Sequence, residues 1–129
     1  MINTLNIGKV IYSLLNTIVV DNKPLDRIYP LIAESGTNFP FIVYSRDSIT
    51  PNFCKDGCYE DEVDITVKVV SSTYYGGLDL AQQVREKLTF YDLKSNNMII
   101  TSNLDNATES YEDNSYVQNL TFKLTINNK

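Results

Sequence analysis

The chain contains no histidine and no tryptophan. Without histidine it lacks the side chain that ordinarily titrates near neutrality, the Ser-His and Cys-His nucleophile pairs and every histidine-bearing metal site. Cysteine is limited to Cys54 and Cys58, and two thiolates alone cannot complete a zinc tetrahedron. No run approaches the roughly 18–20 apolar residues of a membrane-spanning helix, and Met1–Leu5 has neither the basic start nor the long apolar stretch of a secretory signal. These absences predict a protein that works in a cytosol, with both cysteines as dispensable thiols on a loop. Basic residues are scarce as well: 11 Lys+Arg against 16 Asp+Glu give a formal charge of −5. Tight nucleic-acid binding needs cations that displace the polymer's counterions, so DNA or RNA is not expected as a tight partner. No cofactor and no metal are expected either.

What is present is enough apolar material for one core. The 129 residues are 43% hydrophobic, which fits a single domain spanning 1–129 that folds without staples. From Thr4 to Val20, residues Ile7, Val10, Ile11, Leu14, Leu15 and Ile18 recur at spacings of three and four, the apolar stripe of a helix. The Asp21-Asn22-Lys23-Pro24 run is expected to end it. Arg27–Ala33 and Phe39–Arg46 are rich in β-branched and aromatic residues and predict two strands joined by a turn, with Pro30 and Pro40 at a strand end or sheet edge. Asp47 to Glu60 reads as a long exposed hairpin loop.

A third strand follows in which Asp61, Val63, Ile65, Val67 and Val69 alternate with Glu60, Glu62, Asp64, Thr66 and Lys68, so one side should be buried. Thr73 to Leu88 returns to helical spacing through Leu78, Ala81, Val84, Arg85 and Leu88, with Ser72 or Thr73 as cap. Strands at Met98–Asn106 and Tyr116–Asn127, separated by an acidic loop at Thr108–Asn114, complete the chain. The predicted fold is α+β: a mainly antiparallel sheet of about five strands with two helices on one face, in the order α-β-β-β-α-β-β. Val63, Ile65, Val67, Val69, Leu14, Ile18, Val84 and Phe122 are its expected core.

The candidate chemistry is sparse. Two acidic segments, Glu60–Asp64 with Asp56 ahead of it and Glu109–Asp113, lack the spacing of a calcium loop and read first as solvated surface. A carboxylate pair for acid-base work is the enzymatic alternative. Tyr74-Tyr75-Gly76-Gly77 lacks the Lys-Ser/Thr of a phosphate loop. The Asn106-Ala107-Thr108 and Asn119-Leu120-Thr121 glycosylation spacings have no secretory context. Nine tyrosines and five phenylalanines point instead to protein surfaces meeting, because tyrosine offers rigid contact area with a polar tip. A binding or structural module outranks an enzyme.

The order of motifs resembles a known family. An N-terminal helix precedes Ile28-Tyr29-Pro30, then Phe39-Pro40-Phe41-Ile42-Val43-Tyr44, an Asp56-Gly57 turn and the strand Glu62-Val63-Asp64-Ile65-Thr66-Val67-Lys68-Val69. Ser72-Thr73-Tyr74 then opens a helix carrying Ala81 and Val84-Arg85, and Tyr116 to Phe122 begins the last strand. Over residues 4 to 126 this pattern is similar to the tail-completion, or tail-terminator, proteins of long-tailed bacteriophages and prophages. The Cys54–Cys58 loop and Val70 in place of an aromatic depart from it. The resemblance implies a non-enzymatic virion protein, assembled in the bacterial host cytoplasm, that forms a homo-oligomeric ring, commonly a hexamer. Such a ring would cap the tail tube, meet a neck or head-completion protein and let DNA pass without tight binding. On that reading Glu60, Glu62, Asp64, Glu109, Glu112 and Asp113 would line an acidic lumen, and Tyr74, Tyr75 and Tyr116 would make subunit contacts. The alternatives are another head-to-tail adaptor and, in a different class, a small carboxylate-dependent hydrolase.

Overall fold

The computed structural model describes residues 4–34, 36–53, 59–95 and 97–128. A single 3-10 turn, Thr4–Asn6, leads into helix α1, Ile7–Leu15, which buries Ile7, Val10, Ile11 and Leu15. The helix stops five residues short of the expected Val20. Its end is closed by Thr17 Oγ1 donating to Leu14 O at 2.8 Å and by Ile18 N donating to Leu15 O at 3.0 Å. Beyond Asn16, the four residues Thr17-Ile18-Val19-Val20 are all β-branched and lose rotamer freedom in a helix. Val19–Val20 instead forms strand β1 and pairs with β2, Lys23–Pro24. Asp21 and Asn22 make the turn between them, with φ of 53° and 64°, the pair of left-handed residues that a two-residue hairpin turn requires.

Strand β3, Ile28–Pro30, lies parallel to the start of β4, Phe41–Phe53. Arg27 Nε donates to Pro40 O at 2.9 Å and Leu31 N to Tyr44 O at 2.8 Å, tying the connection at both ends. Pro30 ends an edge strand, as expected, and Pro40 precedes β4 after a cis peptide bond. The loop expected over Asp47–Glu60 is mostly strand: β4 continues to Phe53 and β5, Tyr59–Ser71, begins six residues later. Polar residues misled that expectation because this part of β4 is exposed, and a solvated strand carries no apolar alternation to read. Cys54, Asp56 and Cys58 lie outside the described residues.

Strand β5 buries Asp61, Val63, Ile65, Val67 and Val69 and turns their even-numbered neighbours to the other side. Helix α2, Tyr74–Lys87, buries Gly77, Leu80, Ala81 and Val84. Leu80 therefore replaces the expected Leu78, which is half-buried, and Arg85 is exposed. Strands β6, Phe90–Ser95, β7, Met98–Glu112, and β8, Ser115–Asn128, follow. The expected break at Thr108–Asn114 shrinks to Asp113 and Asn114, again both left-handed at φ 52° and 60°.

The main sheet has six strands in the order β3-β4-β5-β8-β7-β6, beside the two-stranded β1-β2 hairpin. This corrects the expected five; β6 and the hairpin are the additions. All neighbours except β3-β4 are antiparallel. One core joins Ile7, Ile11 and Leu15 of α1 and Leu80 and Val84 of α2 to the inward residues of β5 and to Leu120, Phe122, Leu124 and Ile126 of β8. Both helices thus cover the same face, and of the expected core only Leu14 falls short, as a half-buried flank.

Candidate interaction surfaces

The face of the sheet turned away from the core carries the polar half of each strand. Register places its residues in cross-strand rows, because directly paired residues share a face. One row reads Thr50, Glu62, Thr125, Thr101; the next Ser48, Asp64, Lys123, Asn103; the next Ser45, Thr66, Thr121, Asn106. Glu60, Glu62 and Asp64 therefore stand together on one exposed flank of the sheet, as strand alternation predicted. Ser48 Oγ donates to Asp64 Oδ2 at 3.0 Å, and Thr66 Oγ1 donates to Asp47, the extra residue at a bulge in β4. Lys68 and Lys123 occupy the same face. Lys94 joins them through Ile99 in the Glu60 row, so Glu60, Glu62, Asp64 and Asp47 stand against three lysines, a milder negative field than the acidic segment alone suggests.

The second acidic segment is elsewhere. Glu60 pairs with Asn127 at one end of β8 and Glu112 with Ser115 at the other, which at about 3.3 Å per residue separates them by roughly 40 Å. Glu109 pairs with buried Gln118 and so lies on the helix side of the sheet, while Glu112 and Asp113 sit at the β7-β8 turn. The structure does not bring the two segments together, and no single carboxylate site spans them. Among the described residues no group of three or more Cys, Asp or Glu side chains is placed to hold a metal. Asp61 is buried, and its Oδ1 has no partner among the described residues.

Around Glu109 the structure builds a feature that the sequence showed only in part. Tyr74 and Tyr75 open α2, and Tyr116 opens β8 opposite Ser71 at the end of β5. These three expected contact residues meet: the Tyr74 ring lies 5.7 Å from Tyr75 and 5.9 Å from Tyr116, both edge-on. Tyr111, paired with Tyr116 across the hairpin, extends the cluster with a ring separation of 4.9 Å. Edge-to-face rings at such distances attract through their quadrupoles. The Tyr74 hydroxyl donates to Glu109 at 3.0 Å, and Gln118 Nε2 donates to the same carboxylate at 3.0 Å. That hydrogen bond to Glu109 raises the Tyr74 pKa above 10.0, helped by desolvation and the nearby negative charge. Tyr75 and Tyr111 remain 78% and 59% exposed. Tyr111 was missed because its segment read as loop, although Tyr111-Asp113-Asn114-Tyr116 has the form of aromatic strand ends around a turn.

Beside this end, Phe39 stacks on Phe41 at 5.8 Å, and a shallow groove of about 290 Å³ runs past them over Val70 and Val117 to Glu112 and Asp113. One end of the sheet is thus aromatic and acidic on both faces. No helix among the described residues is long and apolar enough to cross a membrane.

No protein-family model matches the chain, and no curated protein matches it. Its fold is similar to that of a solved chain from the virion of a native gene transfer agent particle, with a TM-score of 0.74 at 12% identity and 91% of each chain covered.

Proposed function

We propose that this chain is a non-enzymatic structural protein of a phage-like virion tail, forming a ring that caps the tail tube and joins it to the head or neck. The observation that carries the reading is the likeness in fold, over 91% of both chains, to a chain of a gene transfer agent virion. The tail-terminator resemblance of the strand and helix motifs adds to it from an independent direction. A ring that passes DNA needs one wall that does not hold phosphate. The helix-free face is dressed with threonine, serine and asparagine, and its carboxylates, Glu60, Glu62 and Asp64 among them, outnumber its lysines; that suits the need, since a net negative wall lowers the counterion-release affinity. Glu112 and Asp113 extend the negative charge to the opposite end of the molecule, and Glu109 supports the tyrosine cluster there. The partners are further copies of the chain, a tail-tube protein and a neck or head-completion protein, assembled in the bacterial host.

Disruption of the gene in its phage or prophage tests this reading. Heads full of DNA alongside unjoined tubes of uncontrolled length are expected, with rescue by the wild-type chain in trans. Normal, joined particles of wild-type tail length would overturn it.

A further inference from the structure

A closed ring of identical subunits uses two different patches on each copy, because its contacts run head to tail. The chain carries two patches of opposite character, at the two ends of α2. At the N-terminal end are Tyr74, Tyr75, Tyr111 and Tyr116 with Glu109, Glu112 and Asp113, and neither the first turn of α2 nor the β7-β8 hairpin from Glu109 to Tyr116 contains a lysine or arginine. At the C-terminal end, Arg85 and Lys87 occupy the last turn of α2 and Tyr91 follows on β6, all exposed; Lys94, paired with Ile99, belongs to the helix-free face. The two carboxylates nearby are engaged within the chain: Glu86 accepts from Gln82 at 3.3 Å and Asp92 from Thr101 at 3.5 Å. Tyr91 is 82% exposed, four residues beyond Lys87.

We propose that the ring contact is made between these patches: the basic corner Arg85, Lys87 and Tyr91 of one copy docks on the acidic tyrosine end of the next. The inference rests on the ring reading above and names its interface. Arginine and lysine over tyrosine rings gain cation–π attraction, and tyrosine and arginine are the residues that protein interfaces favour. Opposite charge on the two patches steers the correct docking and disfavours like-on-like contacts. Because α2 has 14 residues, about 20 Å of helix separates the patches within one copy. They cannot satisfy each other in the monomer.

That separation makes the contact measurable. Light and isotopically heavy chain are mixed, alone and with tail-tube protein, and treated with a zero-length carbodiimide that joins amines to carboxylates in direct contact. Light-heavy links from Lys87 to Glu112 or Asp113 are expected. Two charge-reversed chains complete the test: Arg85→Glu with Lys87→Glu, and Glu112→Lys with Asp113→Asn, asparagine being a residue that tolerates the left-handed turn position. Each alone should need about tenfold more protein to assemble, with an unchanged urea midpoint as the folding control. An equimolar mixture of the two should assemble like wild type, because an even-numbered ring can alternate them. Wild-type rings whose links join other positions, or rings that form equally well from either reversed chain, overturn this interface and leave the ring standing. Absence of any copy-to-copy contact in the wild type, even with tube protein, overturns both.

Discussion

At the scale of single residues, two adjacent glycines in α2 should respond oppositely to the same change. Thr73 caps the helix by accepting from Gly76 N at 3.1 Å. A methyl group on Gly76 would lie 2.6 Å from that same Oγ1 and 3.2 Å from Ser71 Oγ. The threonine would have to rotate away, and losing such a cap costs about 1 kcal/mol. On Gly77 the added carbon meets Ser71 Cβ at 3.5 Å and Gln118 Cγ at 3.9 Å, ordinary contact distances. There only the helix preference of alanine over glycine acts, about 0.5–1 kcal/mol in favour. Gly76→Ala should therefore lower the urea midpoint and Gly77→Ala raise it. Tyr74 gives a second prediction. Its raised pKa means that the folded state favours the neutral phenol, so the Tyr74-Glu109 contribution to stability is complete below pH 10 and disappears as pH rises through the raised value. Tyrosinate absorbance should show a late-titrating phenol that Glu109→Gln brings back toward the ordinary value; an unchanged titration would mean that the hydrogen bond is not formed in solution. The cap was legible in sequence as Ser72 or Thr73, but the tyrosine-carboxylate contact was not, because Tyr74, Glu109 and Gln118 meet only through the register of β7, β8 and the start of α2.

At the scale of elements, what the sequence disclosed depended on burial. Strands β5 and β8 each keep one face in the core, and their alternation gave position, facing and most of the buried set. The exposed halves of β4 and β7 have no such alternation, and their polar residues read as loop. Two Asp-Asn pairs, Asp21-Asn22 and Asp113-Asn114, held the missing signal: both take the left-handed conformation twice in succession, which asparagine and aspartate tolerate. Read as two-residue hairpin turns, they would have ended α1 early and carried β7 to the turn. Strand β6 was lost because it is short and lies directly after a helix, with an irregular pairing between Phe90 and Leu93. The facing of β5 is directly testable. Ile65 is 1% exposed in the core, and Ile65→Ala should cost about 2–4 kcal/mol by leaving a cavity. Glu62→Gln, three residues earlier on the opposite face, should change stability by no more than about 0.5 kcal/mol. Urea titrations with a common slope would measure both, and equal midpoints for the two variants would mean that the strand is turned the other way.

At the scale of the whole molecule, the arrangement is one-sided. Two helices bury one face of the six-stranded sheet, the other face is polar and uncovered, and one end gathers aromatic rings and carboxylates. The sequence disclosed the polar face through strand alternation and named three of the four clustered tyrosines, but it did not show how far apart the two acidic segments lie. Only the strand order, which sets Glu60 and Glu112 at opposite ends of β8, separates them. A protein with this division suits a ring in which the polar sheet face lines the passage, one end meets the next copy and the remaining rim meets tube and neck. Electron microscopy of the chain purified together with its tail-tube protein tests that claim most directly. Closed rings seated at one end of each tube, with the Glu62 and Asp64 face toward the lumen, are the predicted result. Open, uncapped tubes with the chain sedimenting as a free monomer would contradict it.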